Sequence, residues 1–460
     1  MVIRIIRTGF VLLLACSLVW ALVLAWWADR LHTPSPRDML LYMALLPLAL
    51  LGGYALLRAF IDGLRYPAVP AAAPQPAISA QTSTPPEQLR PALWRPLKAS
   101  FVHTAQGAGV AQLRNALEAG RRPGPDPQLR DADGFPVFAG RVEALDCDDL
   151  AARLDTLASR IGAAPIHQPA IVRALAILEH ALPDILAALD EAPTESSATA
   201  TLAPRLCWFV PQSWPSHCFP MLEAWLLEHR EVLEHPPGEI RIVPAASTAE
   251  LLQVLFGEHP ADAGSAPLLV MAAESSLAED VILGWEHAGT LFNAHNQHGR
   301  IPGEAAAALL FGPPRCDPAD DIGAARMAEA VRDRRPAPPG THNSTKDETL
   351  SSVRSRAMSQ AQLQPEQIGV VIGDIDHRAA SAVEVFTALG DEFGHLDPST
   401  DVLALGAGCG DTGIVAPLLA LALASELATQ DARPALCLFA QDSIDRAAVV
   451  VTPAPARPLS

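Results

Sequence analysis

Residues 408–413, Gly-Cys-Gly-Asp-Thr-Gly, follow a short apolar run at 402–405 and precede an apolar helical pattern from Ile414. Three glycines therefore fall at GxGxxG spacing in a strand–turn–helix setting. There, backbone N–H groups at the helix start would hold a pyrophosphate, and Asp442, after the next strand at 436–439, would take a ribose hydroxyl. Only about twenty residues follow that strand, whereas a dinucleotide unit continues through several more strand–helix repeats. The sequence favours a tight turn packed against a neighbour, where glycine permits close approach.

The other candidates are weaker. His295 and His298 lie in a polar loop with no third ligand at a suitable spacing, so a metal site is not expected. Cys218 has His217 beside it, but neighbours in sequence rarely face each other, and a buried structural thiol is the simpler reading. Asp146-Cys147-Asp148-Asp149 reads as a solvated acidic turn. Seven cysteines without CxxC spacing suit neither a disulfide framework nor a zinc knuckle and read as reduced cytoplasmic thiols. No cofactor is expected.

The elements that must position these residues alternate. Apolar strands are expected at 206–210, 240–243, 268–272, 305–311, 370–372, 402–405 and 436–439. Helices are expected near 221–229, 248–256, 379–389 and 414–427, and a helix-rich outer layer at 110–192. Short apolar strands separated by helices imply an α/β fold with a covered, largely parallel sheet.

Ahead of this body, residues 9–27 and 39–60 are two apolar runs long enough to cross a bilayer, split by a polar turn at 29–38. A signal peptide is the rival reading, since Arg4 and Arg7 precede the first run. The length of that run, its terminal tryptophans and the second span favour a two-span transmembrane hairpin over 1–62. A Pro/Ala-rich tether over 63–90 follows, then an α/β domain over 91–455 with an irregular insertion at about 332–351. Positive charges flank every end of the spans and barely fix their orientation, so the free thiols place the body in the cytoplasm, at the inner membrane. With 33 basic against 51 acidic residues the net charge is -18, which argues against binding nucleic acid.

The order of segments resembles the thiolase-like fold of the β-ketoacyl synthases. Three stretches carry it: 299–310 (GRIPGEAAAALL), 363–371 (LQPEQIGVV) and 405–416 (LGAGCGDTGIVA). The resemblance covers about 200–452 and implies a layered α/β body with a catalytic cysteine and two histidines. The chain departs at all three places. The strand-to-helix elbow at 244–248 has Ala246 where the cysteine belongs, Asp374 stands where the first histidine would, and Asp411 stands between glycine and threonine where the second would. Carboxylates there would repel the enolate or oxyanion of a condensation, and His377, nearby, would have no nucleophile to serve.

A membrane-tethered body of this kind without its catalytic groups, a pseudoenzyme, is similar to the lipase adaptors of type VI secretion systems. That resemblance implies a non-catalytic adaptor whose partners are a lipase effector and the secretion spike; whether the body pairs with itself, as condensing enzymes do, stays open, and a homodimer is one option. The alternative is a divergent acyl-transfer enzyme.

Overall fold

The structure is a computed structural model that describes residues 93–191, 204–230, 239–257, 266–315, 324–336 and 347–453. The expected hairpin and tether lie outside the described residues, as do 454–455 at the end of the expected domain.

Ten strands form one continuous path built from two copies of the same arrangement. In the first half, β5 (Arg205–Pro211) runs parallel to β6 (Glu239–Ala245) on one side and to β7 (Leu268–Ser275) on the other. Strand β8 (Glu304–Phe311) lies antiparallel between β7 and β1 (Trp94–Thr104). The second half repeats this order. Strand β11 (Val370–Gly373) is parallel to β12 (Val402–Ala404) and to β13 (Ala435–Phe439), and β14 (Asp445–Thr452) is antiparallel between β13 and β9 (Ala325–Ala328). Antiparallel pairing of β1 with β9 joins the halves. Two short strands sit at the margins: β2 (Gly107–Ala108) beside β1 and β10 (Val331–Arg334) beside β14.

Both faces of the sheet are covered, so its strands are apolar on both sides and not alternately polar. Along β5, Cys207 and Phe209 face one core, while Leu206, Trp208 and Val210 face another. The first core, shared by both halves, holds α1 (Val110–Glu118), α5 (Thr248–Gly257) and α10 (Ala416–Asp431). The second lies under α2 (Cys147–Ile161), α3 (Pro169–Glu191) and α4 (Phe219–Arg230). A third core packs α7 (Thr349–Ala361) and α8 (Ala379–Leu389) on the outer face of the second half. Among the described residues one helical stretch, Gly413–Asp431, is long and apolar enough to cross a membrane; 78% of its apolar window is buried, as befits the central helix of a core.

Several expectations need correction. The sheet is mixed, because β8 and β14 run against their neighbours. The stretch 110–192 contains a hairpin of β3 (Gly124–Arg130) and β4 (Pro136–Ala139), which carries α6 (Glu279–His287) beside it. The insertion at 332–351 is regular at both ends, where Arg332, Asp333 and Arg334 pair with β14 and α7 starts at Thr349. Leu405 ends no strand; it starts a helical turn, α9 (Leu405–Cys409).

Candidate functional site

Strands β5, β6 and β7 all end at one cavity of about 560 Å³, the carboxyl end of the parallel strands, where open α/β sheets hold ligands. The elbow after β6 supplies Ala246, which is exposed to the cavity. Ser247 and Glu250 shape the elbow: Glu250 N–H donates to Ser247 Oγ at 3.3 Å, and Ala246 N–H donates to Glu250 Oε2 at 2.7 Å. These bonds satisfy donors at the start of α5 that the helix itself leaves open.

Glu274, near the end of β7, forms the opposite wall. Its Oε2 accepts the N–H of Ile414 at 2.8 Å. Burial pushes its carboxyl up to about 7; Asp411 adds to that rise, while the Ile414 N–H and Arg300 oppose it. Asp411 stands next to it, with Oδ2 at 3.0 Å from Arg300 Nη1 and Oδ1 accepting the N–H of Gly413 at 3.1 Å. The Arg300 guanidinium lies 4.2 Å over the Trp285 ring, a cation–π contact that fixes it at the rim. Arg378 also reaches the cavity and is held by Asp376, Nε to Oδ2 at 2.7 Å.

Asp374 sits behind the wall. It is 2% exposed, with Oδ1 accepting Ala440 N–H at 2.8 Å and Oδ2 accepting Gln441 N–H at 3.0 Å. Burial raises its carboxyl to about 6, against those two N–H groups and Arg446. The segment it holds carries Gln441, Asp442 and Ser443 into the cavity. Of the three expected positions, Ala246 and Asp411 therefore line one cavity, and Asp374 braces its wall without lining it.

No described cysteine or histidine lines this cavity. Cys409 is fully buried, its thiol pushed up to about 12 by desolvation. Cys218 is buried while His217 is exposed, so they do not face one another. His377 lies edge-on to Phe292, ring centres 4.9 Å apart, and burial lowers its basicity. His295 and His298 are exposed, and no group of three or more metal-ligating side chains gathers among the described residues. Asp146 caps α2 by accepting Asp149 N–H at 3.0 Å.

The glycine-rich turn does not form a phosphate cradle. The Ile414 N–H that would greet a phosphate is already bonded to Glu274, and a Cβ on Gly408 would lie 2.4 Å from Leu117 Cδ2. Asp442 Oδ1 accepts the N–H groups of Ile444 and Asp445 within its own turn, at 2.7 and 2.8 Å.

Sequence reading missed Glu274, Arg300 and Arg378. Glu274 had a signal, an acid closing the apolar run LLVMAA. The arginines sit in loops, and only the fold brings them together. Glu304, the first residue of β8, carries no signal of its own within the segment GRIPGEAAAALL. It is fully buried and accepts bonds from Val142 N, Ser275 Oγ and Arg173, at 2.8, 2.7 and 2.5–2.8 Å.

No family model and no curated protein matches the chain. Solved structures do. The ketosynthase from module 6 of the bacillaene synthase of Bacillus subtilis superposes with a TM-score of 0.53 at 13% identity, over 79% of this chain and 73% of that one. An oxazolomycin ketosynthase domain of Streptomyces albus gives 0.51 at 14%, over 81% and 76%. The ishigamide ketosynthase/chain length factor gives 0.50 at 14%, over 78% and 99%. At these identities the likeness gives the fold alone: a mixed α/β body of the thiolase-like, ketosynthase kind.

Proposed function

We propose that this chain uses a ketosynthase-like body for binding and not for thiolate-based condensation. The observation that supports the reading is the cavity lining: Ala246 at the elbow, the Arg300–Asp411 pair and Glu274, with no described thiol or imidazole. A thiolate holds the acyl group and imidazoles stabilise the developing oxyanion in such condensations, and a carboxylate-walled cavity offers neither. Within this reading the protein is a membrane-anchored adaptor at the bacterial inner membrane, its body cytoplasmic and able to pair with itself. It binds a lipase effector and presents it to a type VI secretion spike.

The second reading is a divergent acyl-transfer enzyme. The ketosynthase neighbours favour it, as does the Glu274 carboxyl, which near neutral pH can both give and take a proton.

One experiment separates them. Full-length protein is purified from membranes, its co-purifying proteins are identified, and the same sample is assayed with acyl thioesters. A stoichiometric lipase without turnover supports the adaptor. Turnover that is lost in Glu274→Gln supports the enzyme and overturns it.

A further inference from the structure

The cavity at the carboxyl ends of β5, β6 and β7 has a lining that selects among ligands. Its volume of about 560 Å³ falls inside the range of about 300–1,000 Å³ common to small-ligand sites. Its carbon lining is short: Pro211, Ala245, Ala246 and Ile414, with Trp285 at the rim already faced by the Arg300 guanidinium at 4.2 Å. The described residues supply no long aliphatic wall, so an acyl chain would gain little apolar burial there and would strand polar groups.

The charges of the cavity are largely satisfied by the chain itself. Arg300 pairs with Asp411, Nη1 to Oδ2 at 3.0 Å, and Arg378 pairs with Asp376, Nε to Oδ2 at 2.7 Å. Two lining carboxyls, Glu274 and Asp442, have no cation within ion-pair distance among the described residues. They disfavour an anionic ligand. They are also poor cation sites: Asp442 Oδ1 is taken up by the N–H groups of Ile444 and Asp445, and Glu274, raised to about 7, carries only part of a charge at neutral pH.

Neutral hydrogen bonding is what the wall has to spare. Among the described residues, the side chains of Gln212, Ser213, Thr248 and Ser443 have no hydrogen bond within the chain. A ligand hydroxyl both donates and accepts, so it can pair with each of these amides and hydroxyls, and with Glu274 as either acid or carboxylate. It brings no charge that must be desolvated. The C–H faces between the hydroxyls of a sugar ring suit the short carbon lining.

We infer that this cavity binds a neutral monosaccharide or disaccharide. The assignment rests on the reading that the cavity binds a ligand without condensing acyl groups, and is independent of which protein the body holds.

The test uses the full-length protein in a detergent without a sugar head group. Saturation-transfer NMR is read with millimolar glucose, galactose, mannose, maltose and lactose as the neutral probes. The amino and uronic acid forms of the monosaccharides supply the same rings with a positive or a negative charge. At least one neutral sugar should receive transfer, more strongly than any charged form. Ala246→Trp should abolish it, since position 246 is exposed to the cavity and a large ring there fills the space, while the backbone N–H keeps its bond to Glu250. Arg300→Gln should raise the amino-sugar signal relative to the neutral one, because Asp411 then loses its cation. That variant decides the matter if Ala246→Trp fails to fold. No transfer to any neutral sugar, preference for a charged form in the parent, or transfer that survives in folded Ala246→Trp overturns the site. So does an unchanged amino-to-neutral ratio in Arg300→Gln. Acyl-thioester turnover by the parent strikes at the binding reading itself, whereas absent transfer in a folded protein without turnover strikes at the saccharide alone.

Discussion

Glu274 Oε2 lies 2.8 Å from the N–H of Ile414, so a carboxyl from the first half of the sheet caps the helical run leading into α10 in the second. A negative charge at the start of a helix is favoured by the open N–H groups there. Here desolvation outweighs that benefit, because the carboxyl rises to about 7.

The first prediction follows from that rise. A glutamate in the unfolded chain titrates near 4.5, and Glu274 in the native state near 7, so the native state holds its proton more tightly. Its stabilising contribution is complete below pH 4.5 and is lost as pH climbs towards 7, with an upper bound of about 3 kcal/mol. Glu274→Gln keeps an acceptor for Ile414 and removes the titration. Urea melts at pH 5 and pH 8 should show the variant gaining relative to the parent at the higher pH; an equal difference at both values contradicts this.

Asp374→Ala should destabilise the body by about 2–4 kcal/mol, because it strands the buried N–H groups of Ala440 and Gln441. Asp374→Asn keeps one acceptor oxygen and should lose about half as much. Chemical denaturation ranks the three proteins, and an alanine variant as stable as the parent would refute the bracing role.

Gly413 has φ +53, and a Cβ there would lie 2.0 Å from Glu274 Oε2. Gly413→Ala should lower stability by more than about 2 kcal/mol, from backbone strain and loss of the cap together. Calorimetry would detect it, and Glu274→Gln in the same chain should relieve little, since glutamine fills the same space.

Ala246→Cys should create the most reactive thiol among the described residues. Position 246 is exposed at the start of α5, where a thiolate is favoured, while Cys409 is buried with its thiol near 12. Peptide mapping after brief iodoacetamide treatment at neutral pH should find the label at 246. Acyl-thioester turnover should remain absent, since the cavity supplies no described imidazole; turnover in the variant would show that another group can stabilise the oxyanion.

Much of the fold was legible because doubly covered strands read as apolar runs: 206–210, 305–311 and 436–439 all fall within observed strands. Strand β1 was missed since Pro96, Lys98 and His103 break its apolar pattern, and its burial depends on β8, about two hundred residues later. The mixed direction of the sheet was illegible for the same reason, as pairing partners leave no mark on local periodicity. At the site, the elbow at 244–248 was legible as a strand end meeting a helix. The bracing role of Asp374 was not, because its partners are backbone N–H groups of the loop after β13, some 66 residues away.

The seam between the two sheet halves sets the timing of assembly. Strand β1 is finished early in synthesis, yet its two long neighbours, β8 and β9, come about two hundred residues later. Closing such long loops before any pairing is rewarded makes folding slow. Until then β1, apart from the end that β2 covers, offers its hydrogen-bonding edges to any passing chain, an aggregation hazard during synthesis that chaperones exist to contain.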